Sequence, residues 1–204
     1  MERIHWQELP KGTVILIGVN VVFFLYVMYA GSFSDSRFML QAGVLYPPSI
    51  WEEHEFYRLI TAMFLHFGPE HLFFNMLLLY FLGSLLEKTF GSLLFLFIYL
   101  FSGLIGNVVS LIYYSVGDIN VLSAGASGAV FGLVGVVAYM VFANRGYFEG
   151  ISSRRIILMI VFSLYSGFTG GGVNNTAHVA GLLAGALCGM IFYRERNRGS
   201  KGRY

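Results

Sequence analysis

The chain has 204 residues, of which 56% are hydrophobic and 12% charged, and its mean hydropathy is +0.68. About a quarter of the residues of a soluble globular domain are charged, so this composition excludes that class and points to a polytopic membrane protein. The net charge of +2 is too small to suggest a nucleic-acid partner, and the single cysteine, Cys188, cannot form an intrachain disulfide.

Six apolar segments are predicted, spanning about 12–31, 71–86, 92–114, 124–143, 156–173 and 177–193. The expected fold is all-α: a six-transmembrane-helix bundle over 12–193, flanked by a cytoplasmic N-terminal segment 1–11 and a basic cytoplasmic tail 194–204. The first segment is too long for a signal peptide and no A-x-A-like site follows it, so it reads as a retained helix. A 39-residue connection, 32–70, comes next and is too long for an idle loop. It carries Trp51, Tyr57 and the apolar stretch Leu59–Phe67, which suit the membrane interface. The second and last segments are shorter than the roughly 20 residues of a typical span. The fifth is apolar only in its first dozen residues. Short spans imply a thinned bilayer or helices buried among neighbours. No internal repeat, low-complexity tract or soluble linker is present.

Charge orients the bundle. With both termini inside, the inner pieces hold Arg3, Lys11, Lys88, Arg145, Arg154, Arg155, Arg194, Arg196, Arg198, Lys201 and Arg203, and the outer pieces hold only Arg37 and Arg58. Eleven against two is a strong positive-inside asymmetry, so an N-in, C-in topology is expected. The second, fourth and sixth segments then all start at the outer end. The second opens with His71 and Asn75, four apart and so on one helical face. The fourth opens just before Ser127, within Gly125-Ala126-Ser127-Gly128, and the sixth opens with Ala177-His178.

Polar and ionisable side chains at membrane depth are costly and face the bundle interior or a water-filled cavity. Ser127 and His178 are a nucleophile and base by type: a hydroxyl attacks well only when an imidazole takes its proton. Histidine titrates near the neutral pH that general-base work requires. Attack on a peptide carbonyl builds charge on oxygen, and His71, Asn75 and the Ser127 N–H at a helix N-terminus are suitable donors to it. No acidic residue is placed to orient His178, so the pattern is a dyad rather than a triad.

These residues resemble the rhomboid intramembrane serine proteases, and the likeness covers roughly 12–193. Gly125-Ala126-Ser127-Gly128 looks like the family's G-x-S-G, and Ala177-His178-x-x-Gly181-x-x-x-Gly185 looks like its A-H-x-x-G-x-x-x-G. His71-x-x-x-Asn75 looks like its oxyanion pair. Tyr57-Arg58 stands where the family's outer loop has Trp-Arg, and Gly83-x-x-x-Glu87-x-x-x-Gly91 matches a stretch at the inner end of the second helix. The resemblance implies a serine endopeptidase that uses no cofactor. It would cut single-span or other transmembrane protein substrates within the lipid bilayer, with Ser127 and His178 catalytic. It also implies that Phe131 packs on the catalytic histidine. The fifth helix and a cap loop, Ser166–Thr176, would move to admit substrate.

Other readings weigh against each residue. Serines in membrane helices often bond their own backbone or pack between helices. Gly181 and Gly185 read first as packing positions that let the fourth and sixth helices approach, and Gly125 and Gly128 as positions that ease a sharp turn. His66, Arg58 and Glu87 read as structural; Asn20, Asn107 and Asn144 carry no signal. No H-E-x-x-H occurs, so no metal is expected. A relative that binds transmembrane clients without cutting them is the alternative function. A small transporter would show paired half-repeats, which are missing. The six-span layout fits a bacterial cell membrane.

Overall fold

The computed structural model describes residues 9–170 and 174–193; the first eight residues, 171–173 of the expected cap loop and the tail 194–204 lie outside the described residues. Six helices of fourteen residues or more occur among the described residues: α1 (Lys11–Ala30), α5 (Pro69–Phe90), α6 (Ser92–Val116), α7 (Ser127–Ala143), α8 (Ser153–Gly170) and α9 (Asn175–Cys188). Three short helices, α2 (Ser36–Ala42), α3 (Pro47–Trp51) and α4 (Arg58–Thr61), fold the long connection, and a hairpin of β1 (Tyr147–Phe148) and β2 (Ile151–Ser152) joins α7 to α8. A π-helical turn, Gly189–Tyr193, extends α9. Among the described residues four helices are long and apolar enough to cross a membrane: Lys11–Ala30, Pro69–Phe90, Ser92–Val116 and Asn175–Tyr193. The 17-residue α7 is apolar but shorter, about 26 Å against a hydrocarbon core of about 30 Å.

The boundaries differ from the sequence expectation in instructive ways. The second segment is not short: α5 runs four residues beyond the predicted 86, and Glu87 on that last turn is buried and bonded. There Glu87 accepts the N–H groups of Gly12 (2.7 Å) and Thr13 (2.8 Å) and the Thr13 hydroxyl (2.9 Å). A carboxylate thus serves the unpaired donors at the positive N-terminus of α1. Gly91, at φ +83°, ends α5 and starts α6. The expected cap loop is helical through Gly170 and again from Asn175. The apolar stretch of the long connection is not all at a surface, since Ala62, Met63 and Leu65 are buried in the protein while Trp51 and Tyr57 are exposed.

The core centres on α7. Twelve of its seventeen residues are buried, with apolar side chains all round, so it is enclosed by its neighbours rather than facing them with one stripe. Against it lies α9, and the contact is backbone to backbone. A Cβ on Gly181 would strike the carbonyl of Gly128, one on Gly185 that of Gly132, and one on Gly135 that of Leu182. Close approach of small residues is what lets helices associate in lipid, where no hydrophobic force drives them together.

A side chain at this seam must push two backbones apart. Gly185→Val is expected to destabilise the protein by at least about 2 kcal/mol. Gly18→Ala, where nothing lies within 4 Å of the added Cβ, should leave stability unchanged or slightly raised. Thermal unfolding of both variants in detergent micelles checks the pair.

Candidate active site

Ser127 is the first residue of α7, and three of the four residues before it are strapped to the long connection 32–70. Leu45 and Ser123 exchange both backbone hydrogen bonds at 2.9 Å, Gly125 N–H donates to the Ala62 carbonyl at 2.9 Å, and Ala126 N–H donates to His66 Nε2 at 3.5 Å. Gly125 must be glycine twice over: its φ is +138°, and a Cβ there would lie 2.8 Å from the His71 ring. Gly128 is different. It is helical and a Cβ there would make an ordinary 3.6 Å contact, so it does not ease a turn; what matters is its carbonyl, on which Gly181 rests.

His178 lies one turn before Gly181, on the face that α9 turns to α7. It is buried, and its ring stacks on Phe131, with centroids 4.2 Å apart and planes 7° from parallel. The start of α9 is fixed by Asn174. Its Oδ1 accepts the Ala177 N–H (2.9 Å) and the Ser110 hydroxyl (3.1 Å), while its Nδ2 donates to Ser123 Oγ (2.9 Å). One amide therefore caps α9 and ties it both to α6 and to the segment that leads into Ser127. Sequence reading passed over this residue, although Asn before an apolar run is an N-cap signature.

From α5 come His71 and Asn75. Asn75 is buried, and its Nδ2 donates one hydrogen to the His71 carbonyl (2.9 Å), leaving its second N–H available. Ser127, His178, His71, Asn75, Gly125 and Phe131 all line one cavity of about 540 Å³. Among the described residues no hydrogen bond joins Ser127 to His178, and both ring nitrogens of His178 are without partners. A larger apolar groove of about 710 Å³, between α6 and the far face of α9, holds no serine, histidine or carboxylate.

The structural readings of Arg58 and His66 have specific partners. Arg58 is buried, pairs with Glu55, and donates to the carbonyls of Leu40 (2.6 Å) and Val44 (3.0 Å), so it fastens the long connection from within. The same arginine holds the Glu55 carboxyl below its ordinary range. Asn107, which carried no signal in the sequence, donates to the Leu59 carbonyl at 2.9 Å. His66 is wholly buried, 5.0 Å from the His71 ring.

The rhomboid domain family model matches residues 53–195, most of the chain. The chain belongs to the rhomboid family. Rhomboid protease GluP of Bacillus subtilis is 32% identical over 86% of this chain and 34% of its own length. YdcA of the same bacterium is 34% identical over 71% of each chain, and RHOMBOID-like protein 5 of Arabidopsis thaliana is 39% identical over 69% of this chain and 45% of its own. The chain thus spans about a third of the length of GluP. With its apolar helices, the family establishes an integral, multi-pass membrane protein. Plant and parasite rhomboids are among the relatives, so kinship alone does not single out a bacterial membrane.

Burial and the neighbouring His71 push the His66 imidazole down from 6.5 to about 3. The neutral ring is therefore favoured in the folded protein. Its contribution to stability is complete above pH 6.5 and is lost as pH falls from there toward 3. Melting temperature should drop over that window, and His66→Gln, which still offers an acceptor to Ala126, should flatten the drop. Equal acid sensitivity in the two proteins would contradict this.

Proposed function

We propose that this rhomboid is an intramembrane serine endopeptidase that uses a Ser127–His178 dyad. The observation that carries the reading is that Ser127 and His178 line the same cavity as Asn75 and His71, with α7 and α9 held together backbone to backbone beneath them. The proposed arrangement in the membrane is six spans with both termini inside, which puts the cavity about a turn below the outer surface. Substrates are membrane proteins cut in or near a transmembrane segment.

In the proposed reaction Ser127 Oγ attacks the scissile carbonyl carbon while a ring nitrogen of His178 takes the hydroxyl proton. The carbonyl oxygen becomes an oxyanion, met by the second N–H of Asn75, the His71 ring and the Ser127 backbone N–H. The C–N bond then breaks, and His178 returns the proton to the leaving amine. A water molecule next attacks the acyl-serine, again giving its proton to His178. Collapse of that intermediate frees the new carboxyl end and restores the Ser127 hydroxyl. Phe131 stacks on one face of the imidazole and limits its rotation. Ser127 and His178 are not hydrogen-bonded in this conformation. Catalytic hydrogen bonds commonly tighten only once substrate is bound. A non-cleaving client binder is the reading that the missing bond favours, and mutagenesis separates the two.

Ser127→Ala and His178→Ala should each abolish cleavage of a single-span substrate in liposomes while leaving the melting temperature within a few degrees of the parent. Asn75→Ala should lower kcat by about a hundredfold with little change in KM, as loss of a donor used only in the transition state requires. Cleavage retained in Ser127→Ala would exclude the dyad.

A further inference from the structure

Glu70 is the only Asp, Glu, Lys or Arg among the described residues that line the candidate cavity. It stands on the first turn of α5, one residue before His71, and is exposed. Among the described residues it has no ion-pair partner; Arg58, which shares its side of the bundle in the proposed orientation, is buried and paired with Glu55. The apolar rings of Phe67 and Phe74 line the same cavity. Residues 166–173 are uncharged in the sequence, so none of them can supply a counter-charge.

The side of the bundle on which it opens carries the same sign. In the proposed orientation the outer pieces hold Asp35, Glu52, Glu53, Glu55, Glu70 and Asp118 against Arg37 and Arg58, a net of −4. The inner pieces hold eleven basic residues against Glu2, Glu8, Glu87, Glu149 and Glu195, a net of +6, and the two together give the chain's +2. A cleft with apolar walls and charge of one sign concentrates its field on whatever enters. The proposed substrate must bring its scissile carbonyl to Ser127, and so must lay neighbouring residues along this cavity.

Resting on the protease reading, we propose that Glu70 is a specificity-determining residue. It favours substrates with a lysine or arginine on the outer flank of the scissile bond and disfavours those with aspartate or glutamate there. Attraction and repulsion act together, so the selection comes as much from rejecting acidic flanks as from binding basic ones.

The test uses single-span substrates in liposomes, identical except for Lys, Gln or Glu at one residue just outside the scissile bond. The readout is the ratio of kcat/KM for the Lys and Glu substrates, which does not depend on the overall activity of a variant. The parent protein should show a ratio of about 5, as for a partly screened ion pair, shrinking as salt rises. Glu70→Gln should bring the ratio toward 1, and Glu70→Lys should invert it. A parent ratio of 1, or a ratio unchanged in Glu70→Gln, overturns the assignment while leaving the protease reading intact. The same ratio is measured as affinity of the uncleaved substrates for Ser127→Ala. If the parent cuts nothing the protease reading falls, and this affinity ratio still decides whether Glu70 discriminates charge.

Discussion

The backbone contact between α7 and α9 is the constraint on which the rest of the site depends. Ser127 opens one helix and His178 lies on the first turn of the other, so their separation is set by how closely the two axes approach. Gly128, Gly132 and Gly135 on α7 meet Gly181, Leu182 and Gly185 on α9 with no side chain between. In lipid, packing of this kind also has to supply the association energy that apolar burial supplies in water. The same glycines therefore hold the bundle and set the geometry of the proposed dyad. Stability and the proposed chemistry here share one cause.

A second frame holds Ser127 from outside. The long connection between α1 and α5 is pinned by the Arg58 guanidinium, by Asn107 on α6, and by the Trp51 indole, which donates to Ser115 Oγ at 2.7 Å. From that pinned segment Leu45, Ala62 and His66 reach the residues just before Ser127. Asn174 then links those same residues to the start of α9 through Ser123. The Ser127 backbone and the helix that carries His178 are thus fixed to one polar network. Below it the apolar seam takes over. A long connection that loops out and back is what a short, deeply enclosed α7 requires, since that helix has little surface of its own from which to position its first turn.

The sequence made much of this legible, for identifiable reasons. Hydropathy located the long helices, because a membrane demands long apolar runs. Ser127, His178, His71 and Asn75 stood out because polar groups at that depth are expensive and few. The spacing of Gly181 and Gly185 announced a close helix contact. Less legible was everything held by long-range hydrogen bonds. The apolar run of α5 stops at 86, and what the polar turn beyond it binds is not legible, because the partners of Glu87 lie 75 and 74 residues away on α1. Asn107 and Asn174 gave no sign of their partners, which are a backbone carbonyl on α4's segment and two serines distant in the chain. Beside Ser127, Gly128 reads from sequence as a turn glycine, whereas its role depends on which helix lies against it, and no local pattern states that.

Covalent labelling tests the central claim most directly. The protein in detergent is treated with a fluorophosphonate, digested, and the modified peptide sequenced by mass spectrometry. The account predicts a single adduct on Ser127, forming at least about a hundredfold more slowly in His178→Ala, the loss expected when a general base is removed. An adduct on another residue, or an equal rate of labelling in His178→Ala, would contradict it.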